Sequence, residues 1–241
     1  ALPNRPGISV KLSALHPRYD YAKRKRVLEE LGASVRALAI QAKEANIGFN
    51  IDAEEAARLD LSLDLIEALM RDPKLGGWDG FGVVVQAYQR RAPFVIDWLA
   101  VMARETGRRI MVRLVKGAYW DGEIKRAQVM GLESYPVFTR KVLTDVSYQA
   151  CAKKLFANAD VLYPQFATHN ALTAAIVREM AGDVTEYELQ RLHGMGEALH
   201  DSLIAAGARS RIYAPVGGHK ELLPYLVRRL LENGANSSFV N

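Results

Sequence analysis

The chain has 241 residues, 49% apolar and 24% charged, enough to bury a substantial core and most simply read as one globular domain. Its net charge is +5 with bases and acids interleaved, which argues against nucleic acid as a partner of this segment and leaves an anionic small ligand or an anionic membrane surface. The single cysteine, Cys151, excludes an intrachain disulfide and a cysteine-built metal site, and it suits a reducing cytoplasm.

No apolar run approaches the ~20 residues of a membrane span, and the opening Ala1-Leu-Pro-Asn-Arg-Pro-Gly7 has no signal-peptide pattern. The missing initiator methionine reads as an excised or processed piece. Short β-branched or aromatic apolar runs then alternate with longer amphipathic stretches, the signature of a parallel sheet built from βα steps. Strands are predicted at 8–12, 48–52, 81–86, 110–115, 162–168, 187–192 and 211–216. Helices are predicted at 21–46, where Val27, Leu28, Leu31, Val35, Leu38 and Ile40 recur at helical spacing, and at 54–70. Others follow at 93–105, with Pro93 in the first turn, at 122–130, and past Pro136 to 157. The last three are 171–181, capped by Asn170, then 196–206 and 222–233. No repeat, low-complexity tract or linker interrupts the series.

Polar residues gather at one end of these strands. Lys11, Asp52, Gln86, Arg113, Gln165 with Thr168 and His169, Gln190 and Tyr213 all fall at or near a C-terminal strand end, the edge where (βα)₈ barrels and open α/β sheets bind ligands. A closed (βα)₈ barrel needs one strand more than the seven found here. Either one βα unit is absent from this chain, or the sheet is an open or distorted barrel.

The densest stretch is Arg113-Leu-Val-Lys-Gly-Ala-Tyr-Trp-Asp121, where a strand runs into cations, a glycine and two rings. Lys116 and Arg113 can meet phosphate or an electron-rich ring, Gly117 allows close backbone approach, and Tyr119 and Trp120 can stack, which fits a large anionic ligand with flat parts. A plain βα connection with snorkelling cations and core aromatics fits the same residues. Asn50 shares a strand face with Asp52; Glu54 and Glu55 follow, either beside the pocket or as helix-start acids favoured by the macrodipole. Thr168, His169 and Asn170 are either phosphate contacts at a helix mouth or a surface cap. Gly194 and Gly196 allow a tight turn after Gln190, although no GxGxxG or Walker motif is present. The histidines His16, His169, His193, His200 and His219 show no metal-ligand spacing. Arg228 and Arg229 lie beside a leucine stripe with Glu232 one turn on, and spacing alone favours a helix-surface ion pair.

The motifs Ser9-Val-Lys-Leu-Ser-Ala-Leu-His-Pro-Arg-Tyr19, Phe49-Asn-Ile-Asp-Ala-Glu-Glu55, Gly82-Val-Val-Val-Gln86, Arg113-Leu-Val-Lys-Gly-Ala-Tyr-Trp120, Phe166-Ala-Thr-His-Asn170, Leu192-His-Gly-Met-Gly196, Arg211-Ile-Tyr-Ala-Pro-Val-Gly217 and Val227-Arg-Arg-Leu-Leu-Glu-Asn-Gly-Ala-Asn236 resemble proline dehydrogenase. Tyr119-Trp-Asp-Gly-Glu-Ile-Lys125 and Tyr135-Pro-Val-Phe-Thr-Arg-Lys141 narrow the resemblance to the proline dehydrogenase domain of the bifunctional proline utilization A enzymes.

That resemblance implies a distorted (βα)₈ TIM barrel, here without its first βα unit, that binds FAD non-covalently and oxidises L-proline to Δ1-pyrroline-5-carboxylate. Hydride would pass to flavin N5 and electrons onward to a quinone, with peripheral membrane association and a fused or associated aldehyde dehydrogenase domain. Arg113, Tyr213 and Asp52 would stand at the chemistry. Lys11, Arg228 and Arg229 would clamp the substrate carboxylate, reversing the preference drawn from spacing, while Tyr119, Leu192 and Tyr213 pack on its ring. Val84, Gln86, Arg113, Lys116, Gly117, Tyr119, Trp120, Thr168, His169, Asn170, Gln190, Glu232, Ser238 and Phe239 would line the cofactor. The family's acidic Leu-Gly-Glu strand has no counterpart here. Of two rival readings, a Schiff-base barrel lyase using Lys11 or Lys116 predicts a protein that takes up no flavin, and a non-catalytic fragment predicts no proline-dependent flavin bleaching and no binding of cyclic carboxylates.

Overall fold

The computed structural model describes residues 5–218, 220, 222, 223 and 225–227. Seven strands are present: β1 (Gly7–Val10), β2 (Gly48–Ile51), β3 (Phe81–Gln86), β4 (Ile110–Val115), β5 (Leu162–Ala167), β6 (Glu188–Leu192) and β7 (Ser210–Tyr213). They follow one another in the sheet as in the chain, β1 to β7. The pairs β1–β2, β2–β3, β5–β6 and β6–β7 are parallel. Between them lie helices α1 (Leu12–Leu15), α2 (Arg24–Glu44), α3 (Leu59–Met70), α4 (Ala92–Thr106), α5 (Trp120–Val129), α6 (Lys141–Ala157), α7 (Ala171–Ala181) and α8 (Glu197–Ala205). This is the α/β connectivity of a (βα)₈ barrel, seven of whose strands the described residues supply.

The packing divides into two compact units, Ala1–Val85 with Phe94–Arg113 and Asn158–Tyr163, and Gln86–Pro93 with Leu114–Ala157 and Pro164–Asn241. In the first, Val27, Leu31 and Val35 of the predicted stripe are wholly buried with Ala39 one turn on, every fourth residue of α2, while Leu28, Leu38 and Ile40 are half-buried. α2 packs on α3 and β2. Arg108 is buried here, donating to the carbonyls of Leu69 and Met70 at 3.0 and 3.1 Å, so a cation meets the negative end of α3. Burial pushes its pKa down. In the second unit, α6 and α7 pack together, and Phe156, Phe166 and Tyr187 form a cluster with ring centroids 5.0, 5.4 and 6.0 Å apart.

Differences from the sequence reading have local causes. β1 stops at Val10, and α1 begins at once instead of a strand to 12. β7 stops at Tyr213 rather than 216, because Pro215 cannot donate to a ladder. Glu54 and Glu55 lie ahead of a short 3-10 turn, Ala56–Arg58, and not in the helix. α5 begins at Trp120, two residues early. Residues 136–138 are not helical: Arg90 N donates to Pro136 O at 3.1 Å and Phe138 N to Tyr88 O at 2.8 Å, an antiparallel strap within the second unit. The predicted helix 222–233 falls mostly outside the described residues.

His200 of α8 is fully buried; its Nδ1 meets Ser210 Oγ at 2.7 Å and its Nε2 meets Thr168 O at 3.0 Å. The carbonyl can only accept, so Nε2 carries the proton and Nδ1 accepts from the hydroxyl. Burial lowers the pKa below 6.5. The unfolded chain therefore takes the proton first, so this stability is complete above pH 6.5 and is lost as pH falls through that value toward the folded pKa. Thermal unfolding is expected to drop between pH 7.5 and 5.5 (chosen to bracket the ordinary His value of about 6.5), and His200→Gln is expected to flatten that drop; parallel curves would contradict the assignment.

Candidate functional site

In the first compact unit the geometry centres on Arg113. The residue is 8% exposed, and its guanidinium donates from Nη1 to Asp52 Oδ1 at 3.2 Å and from Nη2 to Ser9 Oγ at 2.5 Å. One side chain from β4 thus ties the end of β2 to β1. Removing one partner of so buried an ion pair costs about 3–5 kcal/mol. Lys11 follows β1 directly and is the N-cap residue of α1. The turn after it is fixed by Glu54, which accepts from Ser13 N at 3.0 Å, from Ser13 Oγ, and from Arg58 Nη1 at 3.0 Å. Glu54 therefore secures the first turn of α1, directly after Lys11, and not the helix that follows it in the chain. Val84 stays half-buried between the buried Val83 and Val85. Asn50, on the Asp52 face, lies opposite Gly82 in register, and a β-carbon at Gly82 would fall 1.8 Å from Asn50 Oδ1.

In the second unit, Gln86 ends β3 and its Oε1 accepts from Ala118 N at 3.4 Å. Lys116 Nζ pairs with Asp145 of α6. Gly117 has φ +142°, and a β-carbon there would lie 2.4 Å from the ring of Tyr88. The glycine is required by that ring as well as by its own backbone. Tyr119 is the N-cap residue of α5, and Trp120 Nε1 donates to Phe138 O at 2.8 Å, so the indole is held by the strap.

At the β5 end, Asn170 caps α7 by accepting from Thr173 N at 2.9 Å, and Thr168 Oγ1 accepts from Asn170 N at 3.1 Å. Asn170 is thus the N-cap expected from the sequence. His169 Nε2 accepts from Leu192 N at 2.9 Å, which puts the ring proton on Nδ1 and joins the ends of β5 and β6. Gly194 and Gly196, at φ +77° and +64°, make the tight turn expected after Leu192, with the His169 ring against Gly196. Gln190 sits in β6 and Tyr213 ends β7, paired in register with Leu192. Arg228, Arg229, Glu232, Ser238 and Phe239 lie outside the described residues.

Of the described residues expected at strand ends, Lys11, Asp52, Gln86, Thr168 and Tyr213 are at or beside one and His169 is one residue further on, while Arg113, Gln165 and Gln190 lie two residues short of theirs. Ser9, Asp145, Glu188 and Tyr88 were not singled out; Ser9 lies two residues before Lys11 on the same strand face, the one signal that could have found it. Among the described residues no group of three or more His, Cys, Asp or Glu could hold a metal, and no helix is long and apolar enough to cross a membrane.

Gly117→Ala is expected to lose about 1–3 kcal/mol in denaturant unfolding, from backbone strain and displacement of Tyr88. An unchanged midpoint would remove the close-approach argument.

Comparison with known proteins gives one consistent result. The proline dehydrogenase family model matches residues 1–241. The bifunctional protein PutA of Klebsiella aerogenes is 60% identical over 245 residues, covering 98% of this chain and 19% of that protein. The bifunctional protein PutA of Escherichia coli gives the same identity and coverage. A crystal structure of Bradyrhizobium japonicum proline utilization A superposes with a TM-score of 0.96 at 62% identity, over 100% of this chain and 25% of that one. The chain spans about a fifth of the length of these curated relatives.

Proposed function

The chain belongs to the proline dehydrogenase family, and from that premise we propose that it is the catalytic barrel module, lacking its first βα unit, of a longer bifunctional enzyme and oxidises L-proline to Δ1-pyrroline-5-carboxylate with non-covalent FAD. The observation that carries this reading is the Arg113–Asp52–Ser9 cluster, a buried cation held at the strand ends by a carboxylate and a hydroxyl.

The residues present fit a flavin dinucleotide. The amides of Gln86, at the end of β3, and of Gln190, within β6, suit the polar edge of a flat heterocycle, and the Trp120 ring suits an aromatic partner. Lys116 suits the phosphates, as do the Ala171 and Leu172 N–H groups in the first turn of α7. When bound, FAD supplies a two-electron acceptor for the hydride. A C–H bond next to the proline nitrogen gives up that hydride, the nitrogen gives up a proton, and a C=N bond forms.

The chain's own groups do the rest. Arg113 places a fixed positive charge where negative charge grows on hydride arrival, and Asp52 and Ser9 hold its guanidinium in one orientation beforehand. Lys11, directly before the α1 turn that Glu54 holds, is assigned to the substrate carboxylate, the role the family motif also gives to Arg228 and Arg229. Tyr119, Leu192 and Tyr213 pack on the substrate ring and exclude water. A quinone takes the electrons, and an aldehyde dehydrogenase domain elsewhere in the polypeptide takes the product. The enzyme works in the cytoplasm, peripheral to the inner face of the membrane.

Adding L-proline anaerobically to the FAD-loaded protein is expected to bleach the visible flavin bands; an unaltered spectrum rules the reading out. Arg113→Lys keeps the charge opposite Asp52 but loses the planar fork, and is expected to slow bleaching by about tenfold or more. A variant that bleaches at the wild-type rate takes Arg113 out of the chemistry.

A further inference from the structure

Glu188 is the first residue of β6 and only 2% exposed. Strand register sets Gln165 of β5 opposite it; Gln190, two residues on and so on the same face, lies opposite Arg211 of β7. Three side chains converge on its carboxylate. Oε1 takes Gln165 Nε2 at 2.9 Å, Gln190 Nε2 at 2.7 Å and Arg211 Nε at 2.7 Å, and Oε2 takes Arg211 Nη2 at 3.0 Å. The two-pronged guanidinium matches an ionised carboxylate, and such a group can only accept.

The amide orientation of Gln190 is therefore dictated by chemistry. Its NH₂ must face Glu188, so its carbonyl is turned away, and a rotation that put the carbonyl on the carboxylate would set two acceptors against each other. No described residue donates to Gln190 Oε1, although the residue is 3% exposed. A carbonyl so turned is free to accept from a donor outside the protein.

We propose that Glu188, balanced by Arg211, is a positioning residue that locks the Gln190 amide with its acceptor outward, so that Gln190 accepts a hydrogen bond from the imide N–H of the flavin ring. The proposal rests on the flavin reading above. The pyrimidine end of an isoalloxazine carries one N–H between two carbonyls. A rotating amide could satisfy either kind of group, whereas an amide pinned through its NH₂ accepts only the N–H. Glu188 thus turns a versatile side chain into a one-way contact.

The test is equilibrium binding of FAD and of N3-methylated FAD, followed by flavin fluorescence, to the full-length protein and to Glu188→Gln and Gln190→Met. Wild type is expected to bind FAD about tenfold more tightly than the methylated flavin, the scale of one hydrogen bond. Both variants are expected to lose most of that preference, Glu188→Gln because a neutral amide no longer compels Gln190 to face it with NH₂. Gln190→Met removes the acceptor while keeping the shape, and so decides the matter if Glu188→Gln does not fold. A wild type without preference, or variants that discriminate as sharply as wild type, overturns the proposal alone. A wild type that binds neither flavin overturns the flavin reading, and the proposal with it.

Discussion

A charge taken out of water has to be met by its opposite, and in each compact unit that requirement organises the polar interior. In the first, Arg113 is buried against Asp52 and Ser9. In the second, Glu188 is buried against Arg211 and two glutamine amides. Apolar side chains could fill the same volumes and would often leave a protein no less stable. Keeping ions there fixes the orientation of every group that touches them, and that is of use where a ligand must be met by groups already in place.

The loops that carry the candidate residues are braced in the same manner. Glu54 holds Ser13, and through it the turn with Lys11; the strap at 136–138 holds Tyr88 to Arg90 and receives the indole N–H of Trp120. His169 reaches from the β5 end to the Leu192 N–H. These contacts satisfy backbone groups that a loop would otherwise leave to water, so loops at the ligand-binding edge acquire the definition of the strands they follow. Lys116 shows the cost of that economy, since its ammonium already faces Asp145 and an anionic ligand has to share it.

The sequence by itself determined the order and kind of nearly every element. A period of two or of 3.6 is a local property, imposed by which faces must be buried, and β3 and β4 match their predicted limits for that reason. The crowding of polar residues at the C-terminal strand ends was legible too, and the motifs named the family. Tertiary structure alone decided which of those residues touch. Ser9 and Arg113 are 104 positions apart, and Glu188 stands 23 from both Gln165 and Arg211; such pairs follow from strand register, which no single segment encodes. The same holds for Gly117, whose motif suggests ligand approach while the ring beside it is that of Tyr88, and for 136–138, which local propensity would continue as helix until a partner strand claims its backbone.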